Sequence, residues 1–347
     1  MTYHELATYS NYALYAAMAV IALSMLAYTG YLAGLMPART ERKELEKVDA
    51  RTREPDAELV AVGGPREASA PAAGTDAAAD DLTEMSAPAR ARPMDDGVSL
   101  TARKLGGIGG SLAWLGTGLL AGSVLLRGLS VERAPLGNMF EFAVVACLAV
   151  MAAFCLWSTR QDLRWLGLFV VTPVLLVLGI ALVLWYTEAA ELMPALQSYW
   201  LVIHVAVAVI ATAIFFLGAA TAMLYLGQDR AESTGAVSFF NRLPNSRSLE
   251  RLTYGLHVIA FPLWTFTLIA GAIWAEKAWG SYWNWDPKEV WTFVIWVVYA
   301  AYLHARVTSG WSKQKATYIA LAGFICVLIN YGVVNLFFVS QHSYSGL

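Results

Sequence analysis

Runs of apolar residues, each about the length of a membrane crossing, alternate with short polar turns along this chain. A hydrocarbon layer of roughly 30 Å takes about 20 apolar residues in a helix. Eight segments meet that length: about 11–35, 109–127, 139–157, 165–185, 200–226, 255–275, 291–308 and 318–339. In lipid the backbone must satisfy its own hydrogen bonds, so spans of this composition are helices. The pattern predicts an all-α polytopic integral membrane protein with about eight transmembrane helices. Pro173 and Pro262 fall inside spans and are expected to kink them.

Residues 37–104 break the pattern. They are rich in Ala, Pro, Gly, Glu, Asp and Arg and have very few large apolar side chains. Such a segment buries too little surface to offset its ordering entropy, so it is predicted to be a disordered linker. The organisation read from this is an N-terminal transmembrane helix (1–36), a linker (37–104) and a membrane domain (105–347). Charge then sets the orientation. Eleven Lys and Arg lie in 37–107, two in 158–164, four in 227–253 and three in 306–316, against four elsewhere: Arg127, Arg133, Lys277 and Lys288. The positive-inside rule makes the linker cytoplasmic and places both termini and the loop between spans six and seven outside. The first apolar stretch lacks a basic flank before it and reads as a retained span rather than a cleaved signal.

Composition adds exclusions. Of 347 residues, 58% are hydrophobic and 14% charged, with a mean hydropathy of +0.51. The net charge of −2 says little about partners, and no nucleic-acid partner is expected. Cys147, Cys155 and Cys326 all lie in apolar segments and form no CxxC pair, which argues against a disulfide framework or a zinc site. No CxxCH occurs, so the chain is not itself a c-type cytochrome.

The chemistry concentrates at one membrane face. Residues 279–291 read WGSYWNWDPKEVW, with Trp279, Trp283, Trp285 and Trp291 in thirteen residues. Indoles favour a membrane interface, but this density exceeds an aromatic belt and can form a shelf for a large flat apolar ligand such as a porphyrin. His204, about one turn inside the fifth span, and His342, just past the eighth, lie on the same level. Imidazole is a standard axial ligand of haem iron, while helix-to-helix hydrogen bonding is the plain alternative. His304 follows Trp291 by 13 residues, about 20 Å down a helix. It is too deep to share a ligand with the outer pair, and either belongs to a second site or packs. His257 reads as a packing residue and His4 as solvated. Asp286, Pro287 and Glu289 have the spacing of an N-cap, N1 and N3, and Asn138 with Glu141 repeats the device. Asn330 and Asn335 are expected to hydrogen-bond between helices.

These residues also carry a family likeness. WGSYWNWDPKEVW resembles the signature of the WWD-domain haem-handling superfamily. LQSYWLVIHV, APLGNMFEF, AYLHARV and the terminal HSYSGL are similar to the CcsA/ResC branch, the System II cytochrome c assembly proteins. The likeness runs from about Ser111 to Leu347, and residues 1–110 carry none. The resemblance implies that His204 and His342 ligate haem at the external WWD site, with Trp279, Trp283, Trp285, Asp286 and Trp291 as the loop around it. It implies that His304 binds haem in transit together with a histidine of a ResB-type membrane partner.

The implied activity is cytochrome c biogenesis. Haem b, held ferrous, is conveyed to the external site and presented for thioether attachment to the CxxCH of an apocytochrome c, whose thiols a thioredoxin-like protein keeps reduced. The chain would be the haem-handling subunit of a holocytochrome c synthase in a bacterial plasma membrane, surrounded by lipid. The likeness leaves open whether attachment belongs to this chain or to the complex. Two other readings stand beside it: a haem transporter without attachment activity, and a b-type electron carrier in which His304 pairs with His257.

Overall fold

A computed structural model describes residues 2–35, 98–189, 198–235 and 239–342. Among the described residues the chain is all-helical, and eight helices are long and apolar enough to cross a membrane. They are α1 (Tyr3–Gly34), α2 (Leu100–Ser130), α3 (Met139–Ser158), α4 (Gly167–Leu184), α5 (Tyr199–Thr234), α6 (Ser246–Trp279), α7 (Pro287–Val307) and α8. The last starts at Lys313, passes through a π-helical stretch over Ile329–Val334 and ends at Phe337.

The helices outrun their apolar cores. α2 starts at Leu100, where Ser99 caps it by accepting the Ala102 N–H at 3.2 Å. The linker boundary expected at 104 therefore moves back to about 99, because a capped polar turn precedes the apolar stretch. Residues 37–97, where disorder is expected, lie outside the described residues. α6 likewise opens with a polar turn capped by Asn245.

The first span is no appendage. Leu14, Ile21, Tyr28, Tyr31 and Leu32 of α1 belong to the same buried core as α2, α3 and α4. Small residues allow the close approach that membrane helices use in place of a hydrophobic drive. A Cβ on Gly116 would lie 2.7 Å from Ile21, and one on Gly167 only 2.4 Å from the Tyr28 ring. Ser10 and Ser24 of α1 donate to the Ser123 and Gly109 carbonyls of α2, each at 2.8 Å.

A second core gathers α5 to α8 around Phe215, Trp264, Ile295 and Tyr299. Phe215 and Tyr299 stack at 3.8 Å. At the end remote from the tryptophan loop, Glu250 of α6 ion-pairs with Arg306 of α7 and lies 3.5 Å from Lys313 of α8. Across the halves, the Tyr331 hydroxyl donates to the Met139 carbonyl at 2.8 Å and ties α8 to α3. Asn330 bonds between helices as expected, its amide donating to Thr292 at 3.3 Å. Asn335 differs: its amide donates to the Tyr331 carbonyl of its own helix, one turn back.

Candidate haem site

The tryptophan loop is shaped by its two helix ends. α6 stops at Trp279 because Gly280 takes a left-handed conformation, φ +74°, and its N–H closes on the Glu276 carbonyl at 2.9 Å. α7 starts with the cap read from the sequence. The Asp286 carboxylate accepts the Lys288 N–H at 3.1 Å, Pro287 occupies the first helical position, and Glu289 completes the capping box by accepting the Asp286 N–H at 3.2 Å. The same Glu289 oxygen accepts the Asn284 N–H at 2.8 Å. Trp285 is thus held between two amides clamped by one carboxylate, in the left-handed region at φ +56° and 77% exposed. For a bulky side chain that conformation costs about 1–2 kcal/mol, and strain of this kind gathers at functional sites.

His204 and His342 come from distant segments and meet across one tryptophan. His204 Nδ1 lies 2.9 Å from the Thr267 carbonyl. A carbonyl only accepts, so Nδ1 carries the proton and the lone pair sits on Nε2, the arrangement a metal-ligating imidazole requires. The ring fits because position 271 is glycine: a Cβ there would lie 2.7 Å from His204 Cε1. His342 Nδ1 donates to Asp286 Oδ2 at 2.8 Å, and the neighbouring Gln341 N–H donates to Oδ1 at 2.8 Å. Burial works against the charge on Asp286. The bond from His342 and the amides of Gln341 and Lys288 outweigh it and hold the carboxyl below its ordinary value. Trp274, buried in α6, stacks on His204 at 6.1 Å and meets His342 edge-on at 5.5 Å. Trp279 closes on both Trp274 and His342 at 4.7 Å.

His204, His342, Trp274 and Trp283 all line a cavity of about 480 Å³, within the size range of small-molecule and cofactor sites. Its walls are mainly apolar and come from α3 to α8. The other predicted residues divide. Asp286 and Trp279 stand behind His342 and hold it. Trp285 projects outward, edge-on to Trp283 at 5.8 Å. Trp291 is partly buried in α7 and does not line the cavity. His304 is exposed near the end of α7, away from the cavity. His257 is fully buried, bonded through Nδ1 to the Thr253 carbonyl at 2.7 Å and boxed by Phe215, Tyr299 and Tyr302. His257 is thus enclosed by protein while His304 is exposed, and the two rings stand in different settings.

Several site residues escaped the sequence reading. Trp274 and Gly271 sit in an ordinary apolar run, and only the contact with a histidine some 70 positions earlier reveals them. Glu141 was read as a capping residue. Its backbone N–H does donate to Asn138 at 2.8 Å, but its fully buried carboxylate turns instead to the Gly137 N–H, Arg127 and Arg133, at 2.8 to 3.0 Å. That cluster braces the turn whose residues Leu136, Gly137 and Asn138 line the cavity. The charge signal was available, because Arg127 and Arg133 are two of the four basic residues on the sparse side.

The donor set suits haem. Two imidazoles with their Nδ1 positions engaged face one apolar, aromatic-walled cavity, and the buried Trp274 indole N–H has no partner there. The eight apolar helices, with a mainly apolar cavity among them, make the chain a multi-pass membrane protein. The family model described as cytochrome c assembly protein matches residues 134–342, and the chain belongs to that family. It is similar to a cytochrome c biogenesis protein CcsA of Guillardia theta, 35% identical over 233 residues, covering 61% of this chain and 77% of the relative. A CcsA of Rippkaea orientalis is 32% identical over 302 residues, covering 69% and 87%. A CcsA of Prochlorococcus marinus is 38% identical over 176 residues, covering 45% and 57%. The protein is a multi-pass membrane protein with a role in cytochrome c assembly, a role that implies apocytochrome c as substrate.

Proposed function

We propose that haem occupies the cavity as substrate, with its iron between His204 and His342, and that the tryptophan loop presents its vinyl groups to an apocytochrome. The observation that carries this reading is the convergence of the two imidazoles on one cavity, each fixed through Nδ1 and both packed on Trp274. The attachment balances without an added oxidant. Each CxxCH thiol adds across a vinyl group: sulfur bonds the carbon next to the ring, and the thiol hydrogen ends on the terminal carbon. The iron stays ferrous throughout. The chain's part is orientation and control of the iron, as the haem-handling subunit of a holocytochrome c synthase. His304, exposed on α7, serves a separate haem in transit and is completed by a histidine of a ResB-type partner. The tryptophan loop and both termini face the outside of a bacterial plasma membrane, where a thioredoxin-like protein keeps the thiols reduced.

The test is the absorption spectrum of the purified, dithionite-reduced protein, with and without the partner. A bis-histidine haem spectrum is expected. It should weaken or shift in His204→Gly and His342→Gly and be partly restored by imidazole. An unchanged bis-histidine spectrum in the double variant would exclude the pairing.

A further inference from the structure

Lys288 is placed against the usual rules. It sits in the first turn of α7, where a cation meets the positive end of the helix dipole. It is half-buried and lines the same apolar cavity as the histidines. No carboxylate among the described residues lies within ion-pair distance of its ammonium. Asp286 is engaged with His342 and the helix cap, and Glu289 is turned back to the amides of Asn284 and Asp286. What holds the ammonium is the Asn330 carbonyl, on the π-helical stretch of α8, which accepts from Nζ at 2.8 Å. One of three N–H donors is used. Three residues that line the same cavity each bury a polar atom without a hydrogen-bond partner: the Trp274 indole N–H, Asn330 Oδ1 and Glu289 Oε1. A half-buried cation is stable when it meets an anion, and π-helical turns are frequent at functional sites.

We propose that Lys288 receives a propionate carboxylate of the porphyrin and thereby sets which edge of the macrocycle faces the loop. The proposal rests on the reading of the cavity as a haem site and adds its polarity. Porphyrin propionates lie together on one edge and the vinyl groups away from it, so a carboxylate anchored at Lys288 fixes where the reactive carbons stand. Two axial imidazoles cannot do this, because they leave the ring free to rotate about the iron–nitrogen axis. The lysine's tie to Asn330 makes the anchor rigid: α7 supplies the charge and α8 holds it in place.

The experiment titrates the purified full-length protein in detergent with haem and, separately, with haem dimethyl ester, which keeps the iron and vinyl groups but has no carboxylates. Binding is followed by the Soret band and by quenching of tryptophan fluorescence. Lys288→Gln should bind haem roughly tenfold more weakly, the loss expected for one charge-assisted contact. It should bind the ester as the unaltered protein does, which also shows that the variant is folded. Lys288→Arg should recover most of the haem affinity. Equal weakening toward both porphyrins, or no weakening toward either, would overturn the proposal while leaving the haem site standing. Failure of the unaltered protein to bind either porphyrin would remove the haem reading itself.

Discussion

Helices α1–α4 and α5–α8 use glycine in the same way for different ends. In the first half, Gly106, Gly109 and Gly167 make room for the rings of Tyr31 and Tyr28, and the result is a tightly packed core. In the second half, Gly218, Gly271 and Gly323 make room for His257, His204 and Tyr299. One of these three rings, His204, opens onto a cavity, while the other two are enclosed. A glycine facing an aromatic ring thus marks close helix approach and carries no functional information alone. The information lies in what the ring's other side meets: protein in the case of Tyr31 and His257, open space in the case of His204.

The strongest way to break this contrast is at the turn between α2 and α3, which lines the cavity. Glu141 is fully buried beneath Arg127 and Arg133 and holds the turn that closes the cavity from the α3 side. Glu141→Gln removes the carboxylate and leaves Arg127 without its ion pair in a buried setting, which should cost about 3–5 kcal/mol. The thermal midpoint of the purified protein should fall sharply, or the folded yield collapse. An unchanged midpoint would mean that the cluster contributes nothing to the fold.

A paired substitution sharpens the comparison. Gly167→Ala forces a methyl group into the Tyr28 ring and should cost about 1–3 kcal/mol, with haem per folded molecule unchanged. Gly271→Ala pushes instead on an imidazole that borders open space and can move away. Its midpoint should fall less, while haem per folded molecule drops. The reverse outcome would erase the distinction drawn between the halves.

The smallest effect is a pH dependence at the cap of α7. Asp286 is held below its ordinary carboxylate value in the folded protein, so its contribution to stability is complete above the unfolded value, about 4. It is lost as pH falls through the lower, folded value. In Asp286→Asn this acid-side loss should be reduced, while stability at neutral pH falls modestly because the charged cap and the bond to His342 are weakened. Thermal midpoints measured from pH 7 down to pH 3 for both proteins decide the matter. Parallel curves would show that Asp286 plays no such part.

What the sequence could reveal followed from whether a property is one-dimensional. A membrane crossing is a matter of length and apolar content, so all eight spans were legible. The cap at Asp286, Pro287 and Glu289 lies in four consecutive positions and was read in full. Trp283 and Trp285 differ by two positions in one motif, yet one lines the cavity and the other projects outward, because the left-handed turn at Trp285 redirects the chain. That turn depends on Glu289 reaching back to two amides, and no residue type at position 285 announces it. Trp274, Gly271 and the Glu141 cluster were hidden for a related reason. Each acquires its role only from partners on another helix, or from a neighbouring turn whose path is set by folding. The integration of α1 into the main core was hidden as well, because its apolar stretch looks the same whether its neighbour is lipid or protein.

The length of α5 has a consequence for the lipid around it. From His204 to Arg230 is 26 residues, about 39 Å of helix against a hydrocarbon thickness of roughly 30 Å. The helix therefore acts as a ruler. With the polar turn at Asp229 and Arg230 held in the aqueous phase on one side, the imidazole comes to rest near the boundary on the other. Membrane thickness becomes a variable of the site: longer acyl chains draw the cavity mouth under the surface and shorter ones lift it clear. Because mismatch is resisted at only fractions of a kcal/mol per Å, the depth of the cavity is tuned by the surrounding bilayer as well as by the fold.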